Sequence, residues 1–147
     1  MNAYMSEKMN QLFKDAEAVD ANVQRVDDET ILFQTKDGQK NCYQLDETKT
    51  NHMKQVFPNY ELCWINGKNE STTRYWLFMR EEQDRVVVEM LFAYLISTKR
   101  METKYAHRKT GNEHNPTLTD FRDIEREFKK TVENLPENRL YFVTGVM

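Results

Sequence analysis

Two histidines carry the most direct chemical suggestion in this chain. His107 and His114 bracket a polar stretch, with Glu113 and Asn115 beside the second. A histidine pair near basic groups can supply the acid and the base of phosphodiester cleavage, with arginine holding the phosphate. The cations stand next to them: Lys99, Arg100, Lys104, Arg108 and Lys109 face Glu102 alone between Lys99 and Lys109, a local charge of +4. Clustered Lys and Arg suit a nucleic-acid backbone. Against that, the spacing of His107 and His114 matches no unit with a stated mechanism, and polar loops often carry histidine without catalytic purpose. Lysine and arginine also gather at helix C-termini, where they offset the dipole, and the whole chain is acidic at -3.

The other chemistry-bearing residues are sparser. His52, Cys42 and Cys63 offer no Cys-x-x-Cys or His-x-x-x-His pair, so no metal is expected, and each cysteine falls within an expected strand as a small apolar residue. Asp27-Asp28-Glu29 and Gln34-Thr35-Lys36 resemble a magnesium-nuclease core only in composition. They flank one short strand and would stand roughly 20 Å apart, so Asp27-Asp28 reads as a solvated turn. Tyr60, Trp64, Tyr75 and Trp76 lie on neighbouring expected strands, where exposed rings could stack bases, although core packing is the commoner use of such residues.

Glycine excludes whole classes. Gly38, Gly67, Gly111 and Gly145 are the only four, so neither a dinucleotide-binding turn nor a phosphate-wrapping Walker loop can be built. Ser6, Ser71 and Ser97 have no glycine neighbour, so the serine-hydrolase elbow is missing too. No cofactor is expected.

The elements that must position these residues follow from periodicity. Met5, Met9, Leu12, Phe13, Ala16 and Val19 form one helical stripe over Ala3–Val19, leaving Glu7, Lys8 and Lys14 for solvent, with Asn2 as the cap. Thereafter the period becomes two. Thr30–Thr35 and Lys40–Leu45 read as strands joined by a hairpin in which Asp37-Gly38 supplies positive φ, and Val23–Val26 as a further strand. Thr48–Phe57 reads as a helix burying Met53, Val56 and Phe57 and stopped by Pro58. Tyr60–Ile65 is a strand, Asn66-Gly67 a turn signal, and Thr72–Met79 a strand apolar on both faces.

From Arg85 to Arg108, Val87, Leu91, Tyr94, Thr98, Met101 and Tyr105 step by four and three, which favours a long helix. The consecutive valines of Val86–Phe92 argue for a strand instead. A capping pattern at Thr117–Asp120 opens a helix burying Leu118, Phe121, Ile124, Phe128, Val132 and Leu135, and Leu140–Val143 closes the chain as a strand.

The expected object is one α+β domain over residues 1–147: a mainly antiparallel sheet of about five strands, an N-terminal helix and two long helices in the C-terminal half. Two cysteines and a polar N-terminus point to the cytoplasm, and no apolar run is long enough to span a bilayer. Residues 1–50 carry ten acids against six cations, a surface able to face a basic partner. The chain therefore reads as a non-enzymatic protein-interaction domain, an inhibitor, immunity or anti-defence factor or adaptor, with homodimerisation allowed and no membrane role. The alternative is a nucleic-acid-binding or phosphodiester-cleaving domain working through residues 99–109, His107 and His114.

Overall fold

A computed structural model describes residues 1–19, 21–83, 86–109 and 118–135. The fold is α+β, built on one antiparallel sheet whose strands lie side by side in chain order. Helix α1 (Ala3–Val19) precedes strands β1 (Ala21–Asp27), β2 (Thr30–Gln34) and β3 (Lys40–Leu45). Helix α2 (Glu47–Val56) leads to β4 (Glu61–Asn69), β5 (Thr73–Gln83), β6 (Val86–Leu95) and β7 (Arg100–Lys109), and α3 (Leu118–Glu133) follows. The sheet has seven strands rather than five, and only one helix of the C-terminal half is present among the described residues. No helix there is long and apolar enough to cross a membrane.

The two extra strands replace the expected long helix. Residues 86–109 form the β6–β7 hairpin, paired without interruption from Val86–Lys109 to Leu95–Arg100. Its run of Val, Leu, Phe and Tyr satisfies a helical period and a two-sided strand equally well. Burial decides for the strand: Val88, Met90, Phe92 and Tyr94 all point into one core, at a spacing of two. The connecting turn also contains no glycine or asparagine to announce it; Lys99 takes the left-handed conformation itself, at φ 50°.

Each face of the sheet has its own helix cover. On one face Met53 of α2 and Ile124, Phe128 and Val132 of α3 pack on Leu62, Trp64, Tyr75, Leu77, Met79 and the inward row of β6. On the other, Tyr4, Met5, Met9 and Ala16 of α1 pack on Ile31, Phe33, Leu45, Cys63 and Ile65. Strand β4 is buried from Leu62 to Gly67, on both faces, as a central strand requires.

Local chemistry fixes the ends. The amide of Met5 donates to Asn2 Oδ1 at 2.8 Å, and that of Lys49 to Asp46 Oδ1 at 2.9 Å, so both helices are capped. The β2–β3 hairpin stands where Asp37-Gly38 places it, but its loop runs from Thr35 to Gln39 and only Gly38, at φ 91°, is left-handed. Asn66-Gly67 is not a turn: both lie inside β4, and the chain reverses after Asn69, whose Oδ1 accepts from the amides of Ser71 and Thr72. Val19 and Val56, expected inside, are exposed. Lys8, expected in solvent, is buried. The expected strand at Leu140–Val143 lies outside the described residues.

Candidate functional site: the open face of strands β5 to β7

Helix α1 lies over β1 and β4, so its face of the sheet is covered only in part. On that side α1 reaches the margin of β5 and β6 through Tyr4, Glu7 and Lys8, and among the described residues no helix lies over the rest of β5, β6 and β7. In-register pairing sets nine residues there in three rows: Arg74–Leu95–Arg100, Trp76–Ala93–Glu102 and Phe78–Leu91–Lys104. With strands about 4.8 Å apart and residues about 3.4 Å apart along them, the grid measures roughly 10 Å by 14 Å. Its centre is apolar, since Trp76, Phe78, Leu91 and Leu95 are half-buried and only Ala93 is fully covered. Its rim carries three cations and one acid, Glu102, whose carboxylate lies 3.7 Å from Arg100 Nε. That pair is exposed and contributes little. Among the described residues Arg74 and Lys104 have no carboxylate partner.

The strand-pairing pattern explains the placement. Alternate residues of β5 point to opposite faces, so Tyr75, Leu77 and Met79 enter the α2/α3 core while Trp76 and Phe78 point to the α1 side. The sequence marks β5 as apolar on both faces; the second face proves to be only half covered.

Two recesses border the grid. Beside α1, a cavity of about 320 Å³ is lined by Lys8, Phe78, Glu89, Leu91 and Lys104, among others. Lys8 crosses from the helix to meet Glu89 at 3.1 Å, with its ammonium 5.2 Å from the Tyr4 ring and 5.6 Å from the Phe78 ring. Tyr4 also lies under Arg80 (4.9 Å), whose guanidinium reaches both Glu7 and Glu61. Burial and the nearby Glu89 carboxylate push the Tyr4 hydroxyl well above its usual range, so it stays neutral. At the far end, a cavity of about 260 Å³ is bounded by Tyr43, Gly67, Lys68, Arg74, Trp76 and Leu95. The Trp76 ring meets Tyr43 edge-on at 4.9 Å and carries Arg74 at 5.8 Å.

Of the basic and histidine residues singled out from the sequence, five lie along one strand. Lys99 occupies the β6–β7 turn, and Arg100, Lys104, His107, Arg108 and Lys109 all belong to β7. Arg100 and Lys104 fall on the grid; His107, Arg108 and Lys109 pair with Val88, Val87 and Val86. His114 lies outside the described residues, so no His107–His114 geometry is defined. The helix-dipole account of these cations fails, because the segment is a strand and has no helix C-terminus to offset.

Among the described residues, strand β7 is also an edge. Its uninterrupted ten-pair register with β6 contrasts with the opposite edge, where β1 shifts register twice and Asn22 is left-handed at φ 55°. Bulges blunt an edge against unwanted pairing; on β7 that task falls to charge.

Of the four aromatics, Trp64 and Tyr75 are core, whereas Trp76 belongs to the open face. Cys42 and Cys63 are buried and free of disulfides. Among the described residues no cluster of three His, Cys, Asp or Glu could hold a metal ion.

No family model, curated protein or solved structure matches this chain. Function must therefore be read from the surface itself.

Proposed function

We propose that this protein is a non-enzymatic protein-interaction domain, acting as an inhibitor, an immunity or anti-defence factor, or an adaptor, and that its partner docks on the open β5–β7 face. The observation that carries this reading is the grid itself: Trp76, Phe78, Leu91 and Leu95 form a half-covered apolar centre rimmed by Arg74, Arg100 and Lys104. An aromatic and aliphatic centre with a polar rim is how interface hot spots are built. The chemistry fits a segment that is apolar in the middle and acidic at its flanks, since three cations against one acid reject a basic partner. A second copy of the same face is disfavoured by those like charges.

The test compares proteins copurifying from the native host with the wild-type chain and with Leu91→Glu. Leu91 is half-exposed and stands opposite Lys104, so the glutamate is accommodated and the melting temperature should hold. The expected result is one protein partner with an acidic, apolar-centred segment, retained after nuclease treatment and lost with Leu91→Glu. Release by nuclease would favour the nucleic-acid alternative, and retention by Leu91→Glu would overturn the site.

A further inference from the structure

We infer that the recess between Tyr43, Trp76 and Arg74 is a binding pocket for a carboxylate attached to an aromatic or other apolar group. Its volume of about 260 Å³ lies just below the range of drug-sized pockets, which sets the ligand near the size of one amino-acid residue. The inference goes beyond the protein-interaction reading: the pocket shares Arg74, Trp76 and Leu95 with the grid but is closed by Tyr43, Gly67 and Lys68, which lie outside it, so a free small anion binds there with no protein on the grid.

Three observations converge on that ligand class. The first is charge: Lys68 and Arg74 both line the pocket, and among the described residues that line it none is acidic. In a chain with a net charge of -3, a recess with two cations and no counter-charge attracts anions. Neither Lys68 nor Arg74 forms an ion pair among the described residues, so their donors are available, and the planar fork of Arg74 matches a carboxylate in bidentate fashion.

The second is the aromatic wall. Gly67 has no side chain, and the Trp76 indole lies directly against its backbone. Tyr43 braces the same indole edge-on, and Arg74 sits over the ring. The indole is thereby held between Gly67, Tyr43 and Arg74, so an apolar group packed against it brings its carboxylate to the guanidinium.

The third is rigidity at the mouth. Asn69 Oδ1 accepts from the amide and hydroxyl of Thr72 at 2.6 and 2.9 Å and from those of Ser71 at 2.9 and 3.1 Å. The β4–β5 turn that carries Lys68 and Arg74 on either side is thus fixed before any ligand arrives, which lowers the ordering cost of binding.

Tryptophan fluorescence reads the pocket directly. Trp64 is buried and donates to Asn66 Oδ1 at 2.9 Å, so an added anion reaches only Trp76. Phenylacetate and a tetrapeptide ending in phenylalanine with a free C-terminus are titrated beside phenylacetamide and the C-terminally amidated peptide. Both carboxylates should give a saturable change, at about millimolar strength for a ligand of roughly ten non-hydrogen atoms. The amides should give none, and Arg74→Gln should weaken binding about tenfold or more.

A peptide that binds much more tightly than phenylacetate identifies the natural source as a chain end; equal or weaker binding identifies a free small anion. Equal responses to acid and amide, full affinity in Arg74→Gln, or no saturable response at all would overturn the inference. Leu91→Glu separates the two proposals, because it places a charge in the grid's apolar centre at a residue that does not line the pocket, and should leave phenylacetate binding unchanged.

Discussion

The ring of Trp76 fills the space that a side chain at position 67 would need: a Cβ on Gly67 would stand 2.1 Å from its Cζ3 and 2.3 Å from its Cη2. The two residues lie diagonally on neighbouring strands, β4 and β5, two residues out of register, since Gly67 pairs with Arg74 and Ile65 with Trp76. This glycine serves close approach rather than a turn, and the open face depends on it.

Gly67→Ala should therefore destabilise the protein by about 1–3 kcal/mol, the usual cost of forcing extra volume into a packed site. Combining it with Trp76→Ala should recover part of that loss, because the ring it strikes is gone. Urea unfolding of both single variants and the double variant measures the coupling, expected at about 0.5–3 kcal/mol. Strict additivity would show that the ring simply moves aside.

Among the described side chains of α3, Phe128 should be the costliest to truncate. Its side chain is fully buried, edge-on to Trp64 at 5.0 Å and 6.4 Å from Phe92. Phe128→Ala should lose about 3–5 kcal/mol in denaturant unfolding. A loss under about 1 kcal/mol would mean that α3 contributes little to the core.

Lys8 and Glu89 join α1 to β6 across the margin of the open face. The lysine side chain is only 6% exposed and its partner 26%. Removing the acid leaves a cation in a site with little water, whereas replacing the lysine by an apolar residue of similar length leaves nothing uncompensated in the interior. Glu89→Gln should thus cost more than Lys8→Met, by about 2 kcal/mol, discounted from the fully buried case because Glu89 still reaches solvent. The reverse order in thermal melts would show that the pair is solvated in solution.

Cys63 should make stability fall at alkaline pH. Burial pushes its thiol from the usual 9.0 to about 12, with Lys8 opposing the shift. The folded state therefore keeps a proton that the unfolded chain releases. The stabilisation is fully present below pH 9 and is lost as pH rises from 9 towards 12. Cys63→Ala should remove the part of the fall that begins near pH 9, leaving the part above pH 10 to which the buried Tyr4 hydroxyl also contributes, and wild-type Cys63 should react with a thiol reagent at pH 8 no faster than the protein unfolds.

Much of the architecture is legible in residue order. The α1 stripe with its Asn2 cap, the Gly38 hairpin, the helix ended before Pro58 and the Ile124–Phe128–Val132 face of α3 all rest on local rules: periodicity, caps and backbone freedom. The β6–β7 hairpin was not legible, because a strand buried on one face and half-buried on the other carries no distinctive period, and its turn uses a lysine at positive φ instead of glycine. The burial of Lys8 gave no signal either; its ion-pair partner stands 81 residues away.

Composition and order determined that the chain alternates helices with a meander and lacks the common phosphate-binding loops. The open face was decided only in three dimensions. Six gaps of about 4.8 Å make the seven-stranded sheet roughly 29 Å wide, whereas a helix with its side chains is about 10–12 Å across. Among the described residues, two helices cover one face, and α1 alone lies on the other, chiefly over β1 and β4. Whether Trp76, Phe78 and Leu91 become core or surface therefore depends on where a distant helix comes to rest, which their own neighbours in sequence do not specify.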